Sequence, residues 1–324
     1  MDIYVKKAII HQFSPDDTDL YLADKFLNIT PKIEEYLRKK IERVYSDEAR
    51  TGIFEEHNPF LEMISDDLLE TSVAVANRWK EEFVVSENQK TNDLVFVQFS
   101  KEGVENFAFL RIALRETLTH LGGEVDNPIK LTQNNLPGFG TGADEALVIN
   151  LQSRKYHLIE KRIKYNGTFL NYFSENLLQT QPTISPKKSI KALEKTAQKI
   201  AESFNTDDFQ FQSKVKSAIF NHIEEENKLS PEKLADDLFD DNLTARLSFI
   251  DQVKEAVPEP VTFEEIDVSR QLKKFENQKL SLSNGIELIV PNNVYEDAES
   301  VEFILNENGT YSILIKNIED IQSK

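Results

Sequence analysis

The chain has 324 residues and carries 38 lysines and arginines against 56 aspartates and glutamates, a net charge of −18. Its length exceeds what one hydrophobic core usually organises, and its 40% hydrophobic and 29% charged residues describe an ordinary globular protein. The absence of cysteine excludes disulfides, thiol catalysis and thiolate metal sites.

The opening stretch MDIYVKKAIIHQF has neither a long apolar core nor a small-residue cleavage site. No apolar run approaches the roughly 20 residues of a membrane span, so a cytoplasmic protein with no membrane contact is expected. IYVKKAII reads as a first strand, and DLYLAD, after the SPDD turn, as its hairpin partner. Thr30 and Pro31 supply the cap and first position of a helix whose buried stripe is Ile33, Tyr36, Leu37, Ile41 and Val44. Arg38, Lys39, Lys40 and Arg43 are expected to face solvent on that helix. A second helix, SDDLLETSVAVANRWKEEF, takes Ser65 as its cap and has acids in its first turn, where they suit the helix dipole.

DLVFVQF and ENFAFLRIAL flank SKEGV as a hairpin, and EALVINLQSRKYHLIEKRI gives another with Arg154 and Lys155 near its tip. After Asn166-Gly167 the pattern turns helical through TFLNYFSENLL, a helix from Ser185, DDFQFQSKVKSAIFNHIEEENK, a short helix from Ser230-Pro231, and TARLSFIDQVKEAV. PEP at 258–260 reads as a linker. Beyond it come a short helix in VSRQLKKF and two hairpins with type I′ turns at Asn284-Gly285 and Asn308-Gly309. The fold class expected is α+β: an N-terminal mixed α/β domain with mostly antiparallel strands over 1–165, a helical region over 166–258, and a C-terminal helix with two β-hairpins over 259–324.

Charge is unevenly placed. Residues 153–199 hold ten basic and three acidic side chains, a local +7 inside a chain at −18. The ten are Arg154, Lys155, Lys161, Arg162, Lys164, Lys187, Lys188, Lys191, Lys195 and Lys199. With Ile190 at zero on a wheel of about 100° per residue, Leu193, Ala197, Ile200 and Phe204 fall between roughly 280° and 340°. Lys187, Lys191, Lys195 and Lys199 fall between roughly 60° and 180°, so burying the apolar stripe turns the lysines outward. Ammonium groups on a pitch of about 6 Å can follow a phosphate backbone. A solvated face, or an acidic protein that binds a basic partner or mimics DNA, is the competing reading.

Chemistry at other motifs is weaker. Gly138, Gly140 and Gly142 precede a strand, whereas a phosphate cradle needs them to open a helix. His222 and Glu226 share a helix face but are only two ligands, and His11 and His157 sit on strand patterns. Asp144 with Glu160-Lys161 approaches a nuclease carboxylate set, but Arg162 stands where its lysine belongs. No enzyme and no cofactor is read from the residues.

AIIHQF, LYLADKFLNITPKIEEYLRKKIERVYSDEARTGIF, DLVFVQFSKEGVENFAFLRIAL, VSRQLKKFENQKLSLSNGIELIVPNNVY and NENGTYSILIKN, in this order, resemble the bacterial nucleoid-associated protein family of the NdpA type. The resemblance covers most of the chain and is carried by order and spacing rather than by a short motif. It implies a cytoplasmic, nucleoid-located, non-enzymatic DNA-binding protein, a homodimer, and a link to chromosome topology and type II topoisomerase. It assigns no residue a role.

Overall fold

A computed structural model describes residues 2–16, 18–86, 90–120, 129–165, 167–204 and 209–322. They divide into two units, Met1–Ser185 and Pro186–Lys324. Asp17 of the first turn, Asn166, and the Asp207-Asp208 start read for one helix lie outside the described residues.

The first unit contains, in chain order, β1 (Ile3–Ser14), β2 (Asp19–Tyr21), α1 (Pro31–Glu42), β3 (Arg50–Ile53), α2 (Leu68–Phe83), β4 (Asn92–Lys101) and β5 (Val104–Ala113). These are followed by β6 (Arg115–His120), β7 (Ile129–Asn135), β8 (Glu145–Asn150), β9 (Lys155–Ile159), β10 (Ile163–Tyr165) and β11 (Thr168–Leu170). Seven strands form one antiparallel sheet in the order β2-β1-β4-β5-β8-β9-β3, while β6–β7 and β10–β11 are separate ribbons.

Both faces of the sheet are covered, which is why its central strands read as continuous apolar runs. Leu94, Phe96, Phe107, Phe109, Leu147 and Ile149 join Trp79 of α2 in one cluster. Their neighbours Val95, Val97, Ala108, Leu110, Ala146 and Val148 join Leu37 and Ile41 of α1 in another. In β1 the register slips between Val5 and Lys7. That bulge changes parity, so Ile3 and Val5 share the α1 face with Ala8, while Ile9 and Phe13 turn to α2. Gly52 is required where it stands: a Cβ there would strike the phenol of Tyr156, its partner in the ladder.

A polar network lies within the α2-side core. Arg111 Nε donates to Glu145 Oε2 at 2.6 Å, and its Nη1 donates to Asn92 Oδ1 at 2.9 Å. Tyr172 donates its hydroxyl to the same Glu145 oxygen and accepts from Trp79 Nε1 at 3.1 Å. Burial first, and then the Glu145 charge, push the Tyr172 phenol well above its ordinary pKa. His11 is also buried: Ala23 N donates to its Nδ1 at 3.0 Å, so Nε2 bears the hydrogen and donates to Ser72 Oγ, also at 3.0 Å. Burial lowers its pKa to about 4.

Four local expectations are corrected. Lys40 does not face out but is fully buried, because on the wheel it falls between Tyr36 and Ile33 in the apolar stripe. Its ammonium donates to the carbonyls of Pro137 (3.3 Å), Gly138 (2.9 Å) and Thr141 (2.5 Å), and lies 4.5 Å from the Tyr36 ring centroid. Burial, with Arg43 and Arg115 nearby, lowers its pKa to about 8. The cap of α2 is Asp67, which accepts from Leu69 N at 2.9 Å, while Ser65 binds Glu70 and Thr71 instead. Thr168–Leu170 pairs with β10 rather than starting a helix, and only a π-helical turn, Phe173–Leu177, follows.

The second unit contains α3 (Pro186–Ser203), α4 (Phe209–Glu226), β12 (Lys228–Leu229), α5 (Pro231–Leu238), α6 (Leu243–Lys254), β13 (Val261–Thr262) and α7 (Ser269–Phe275). Then come β14 (Asn277–Ser281), β15 (Glu287–Pro291), α8 (Asn292–Tyr295), β16 (Val301–Leu305) and β17 (Tyr311–Ile315). One core runs from Ile190 and Leu193 of α3 through Phe211, Ile219, Leu234 and Phe249 to Phe263 and Phe275. Val257 and Val261, which flank PEP, are buried in it, and Leu229 pairs with Val261.

The fourth correction concerns the two hairpin turns. Leu282 N donates to Ile286 O, Gly285 N donates to Leu282 O, and within that turn only the glycine has positive φ, at 86°. The second hairpin repeats this with Asn306, Thr310 and Gly309 (φ 79°). These are three-residue loops with a type I turn and a glycine bulge; the type I′ geometry occurs instead at Glu102-Gly103, where both φ values are positive. Among the described residues no helix is long and apolar enough to cross a membrane.

Two outcomes follow. Arg111→Met leaves the Glu145 carboxylate buried without its counter-charge, and urea unfolding should show a loss of about 3–5 kcal/mol, partly restored in the Arg111→Met/Glu145→Leu double variant. A loss within about 0.5 kcal/mol for the single variant would show the pair to be dispensable. For His11 the folded pKa lies below the unfolded one, so the unfolded chain binds the extra proton. Its stabilisation is complete above pH 6.5 and is lost as pH falls toward about 4. The stability difference between wild type and His11→Asn should therefore shrink by up to about 1.4 kcal/mol per pH unit across that window; a pH-independent difference would contradict a buried neutral imidazole.

Candidate nucleic-acid interface

Proline at the first position of α3 fits the fixed φ of a helix start, and lysine, alanine and glutamine favour its continuation. The helix packs on α4 and α6 through Ile190, Leu193, Ala197, Ile200 and Ala201, all buried, with Phe204 half-buried at its end. Anchoring that stripe fixes the opposite face. Lys187, Lys188, Lys191, Lys195 and Lys199 are all exposed.

Local compensation on this face is slight. Lys199 Nζ donates to Gln252 Oε1 of α6 at 2.9 Å, and Gln198 binds Glu202. Lys187 also has a partner. Lys188, Lys191 and Lys195 have no hydrogen-bond or ion-pair partner among the described residues. Rungs four residues apart stand about 6 Å from one another, and the four from Lys187 to Lys199 span about 18 Å.

The other five basic residues lie in the first unit and are more engaged. Arg154 adopts positive φ (59°) in the β8–β9 turn, and Lys155 starts β9 with its side chain exposed. Lys161 is ion-paired with Asp144 at 3.0 Å. Arg162 Nη2 donates to Phe169 O at 2.7 Å, clamping β10 to β11, and Lys164 on β10 is exposed but has a partner. The locally basic sequence thus becomes two sets of five, one on each unit.

The remaining motifs are occupied by structural contacts. The glycine loop is tied down by Lys40 and by Tyr36 Oη, which donates to Pro137 O at 3.0 Å. Asp144 accepts from Ala113 N and Lys161; burial opposes its ionisation, but those bonds and Arg111 outweigh it and lower the pKa. Glu160 accepts from Arg50 and from both the amide and hydroxyl of Ser174. Burial raises its pKa despite these partners. His222 pairs with Asp237 at 2.6 Å, not with Glu226, whose partner is Lys233. No group of three or more potential metal ligands occurs among the described residues. The Lys40 anchor was missed in the sequence although its position on the apolar stripe was the available signal.

The sequence model of a family described as nucleoid-associated protein YejK matches residues 9–321. The chain belongs to that family, which agrees with the resemblance drawn from its strands and hairpins. No curated protein matches the chain.

Proposed function

We propose that this member of the nucleoid-associated family binds duplex DNA without catalysing a reaction on it, gripping phosphates through the lysine face of α3. The observation that carries the reading is the row of exposed lysines opposite a buried stripe, three of them without partners among the described residues. Non-specific DNA binding rests on local phosphate neutralisation and counterion release, not on total charge. The net −18 instead slows approach and disfavours docking through other faces. We rank α3 above the first-unit set because Lys161 and Arg162 already serve intramolecular contacts. Lysine ammonium is a point charge, so positioning on the backbone, not base reading, is the expected role.

On this reading the chain works in the cytoplasm at the nucleoid, as a homodimer, with its acidic faces free for self-association or for a protein partner. The family resemblance suggests a type II topoisomerase as that partner. A second reading rests on the acidic excess alone: a DNA mimic or a dock for a basic protein that never touches nucleic acid. Retention on heparin at low salt separates the two, because an acidic mimic would flow through.

Changing Lys187, Lys191, Lys195 and Lys199 together to Gln should leave helix content nearly unchanged, since the propensities are similar. Affinity should fall alike for all duplex sequences, and the slope of log K against log salt should become shallower by roughly 0.9 per lost contact, up to about 3.6. A loss of about twofold or less at unchanged slope would make the ladder a solvated face.

A further inference from the structure

The β6–β7 ribbon forms a two-stranded sheet of its own beside the seven-stranded one, and every side chain along it except that of Asn135 is exposed. A two-stranded ribbon alone is marginal in water, so one that is wet on both faces calls for cover. Its pairing sets Leu118 opposite Leu131 and His120 opposite Ile129. The extra residue of its bulge lies on β7, where Asn134 takes φ 57°, so the alternation along β6 is unbroken. One face therefore carries Thr117, Thr119, Lys130 and Thr132. The other carries Glu116, Leu118, His120, Ile129, Leu131 and Gln133.

The two faces differ in kind. Thr132 Oγ1 lies 3.0 Å from Thr117 Oγ1 and 3.1 Å from Thr119 Oγ1, so the threonine face is polar and suited to water. On the other face Leu118 is 73% exposed, Ile129 66% and Leu131 56%. The ribbon is anchored at its base: Asn135 Nδ2 donates to Thr132 O at 2.8 Å, and just beyond, Lys40 and Tyr36 hold the carbonyls of Pro137 and Gly138.

We infer that this aliphatic face packs on the same face of a second copy of the chain, the two ribbons running in opposite directions about a two-fold axis at the Leu118–Leu131 pair. The order acid, leucine, base along β6 selects a second copy as the occupant. Glu116 and His120 stand two places to either side of Leu118, so a reversed copy sets each Glu116 over the other copy's His120. Leu118 then meets Leu118, and Leu131 meets Leu131, as a two-fold contact requires. A carboxylate accepts from an imidazole N–H in either charge state of the ring. Ribbons running in the same direction would lay β6 over β7 and set Glu116 over Gln133, with no such match.

Within one ribbon Glu116 and His120 are about 13 Å apart along the strand, too far to pair with each other. Glu116 accepts from Gln133 Nε2 at 3.2 Å, and His120 has a contact within its own chain, yet both remain exposed. Residues 121–128 lie outside the described residues and take no part in the assignment. A face about 20 Å long is smaller than the roughly 800 Å2 per partner of a standard interface, so a reversible dimer of micromolar strength is expected. The inference rests on the self-association part of the proposed function and is independent of DNA contact by α3.

The test is sedimentation velocity of the full chain over about 1 to 100 μM, where wild type should pass from monomer to dimer. His120→Glu gives a face with acids at both positions, and Glu116→Lys/His120→Lys one with bases at both. Each should weaken self-association about tenfold or more, and their equimolar mixture should recover the dimer, since every cross-copy pair is then opposite in sign. Recovery on mixing cannot arise from an effect of either variant on its own fold. Leu118→Asp should also weaken the dimer about tenfold or more. A dimer indifferent to all three variants would overturn the ribbon contact while leaving self-association standing; a wild type monomeric throughout would overturn both. Variants that each stay monomeric and fail to associate when mixed would overturn the reversed pairing. Ribbon variants that leave sedimentation unchanged but weaken duplex DNA binding would give the face to nucleic acid and also overturn the inference.

Discussion

Covering both faces of one antiparallel sheet is the constraint on which the first unit depends. It dictates the aliphatic and aromatic runs of β4, β5 and β8, and it sets α1 and α2 on opposite sides. It also explains why the β1 bulge is tolerated: one extra residue re-aims Ile9 and Phe13 to the face where Trp79 and Phe83 wait. With no wet face available, Arg111 and Glu145 must satisfy each other inside the core. Tyr172, Trp79 and Asn92 extend that network, joining the end of the unit to its central strands.

The second unit applies the same burial rule to helices, with a functional consequence. Fixing Ile190, Leu193, Ala197 and Ile200 in the core leaves the lysines of α3 no freedom about which way to face. A −18 chain thereby presents a row of exposed cations on one helix face. The hairpins beyond α7 extend the same unit, held to α4 by Gln278 and Phe209, and with that helix they line a cleft. Membership of the nucleoid-associated family supplies the setting in which the proposed phosphate-binding face has a use.

What the sequence disclosed, and what it hid, divides along physical lines. Long periodic segments were legible: the α3 stripe, the Thr30-Pro31 start of α1 and the Ser230-Pro231 start of α5 stand where spacing put them. Lys40 was hidden because lysine ordinarily snorkels to water, and only the loop carbonyls of Pro137, Gly138 and Thr141 make its burial tolerable. Asn-Gly marks both a type I′ turn and a type I turn with a glycine bulge, so the two hairpin turns could not be told apart by composition. The cleft was hidden for another reason: its lining comes from α4 and four strands far apart in the chain, a coincidence no local pattern records.

The central claim is that the free lysines of α3 meet phosphate. Acetylation rates of individual lysines, read by mass spectrometry on the full chain with and without duplex DNA at low salt, test it most directly. The account predicts that Lys188, Lys191 and Lys195 are protected by DNA, that protection fades as salt rises, and that exposed lysines such as Lys273 and Lys279 keep their rates. DNA binding that leaves the three α3 lysines as reactive as before, with protection elsewhere on the chain, would contradict it.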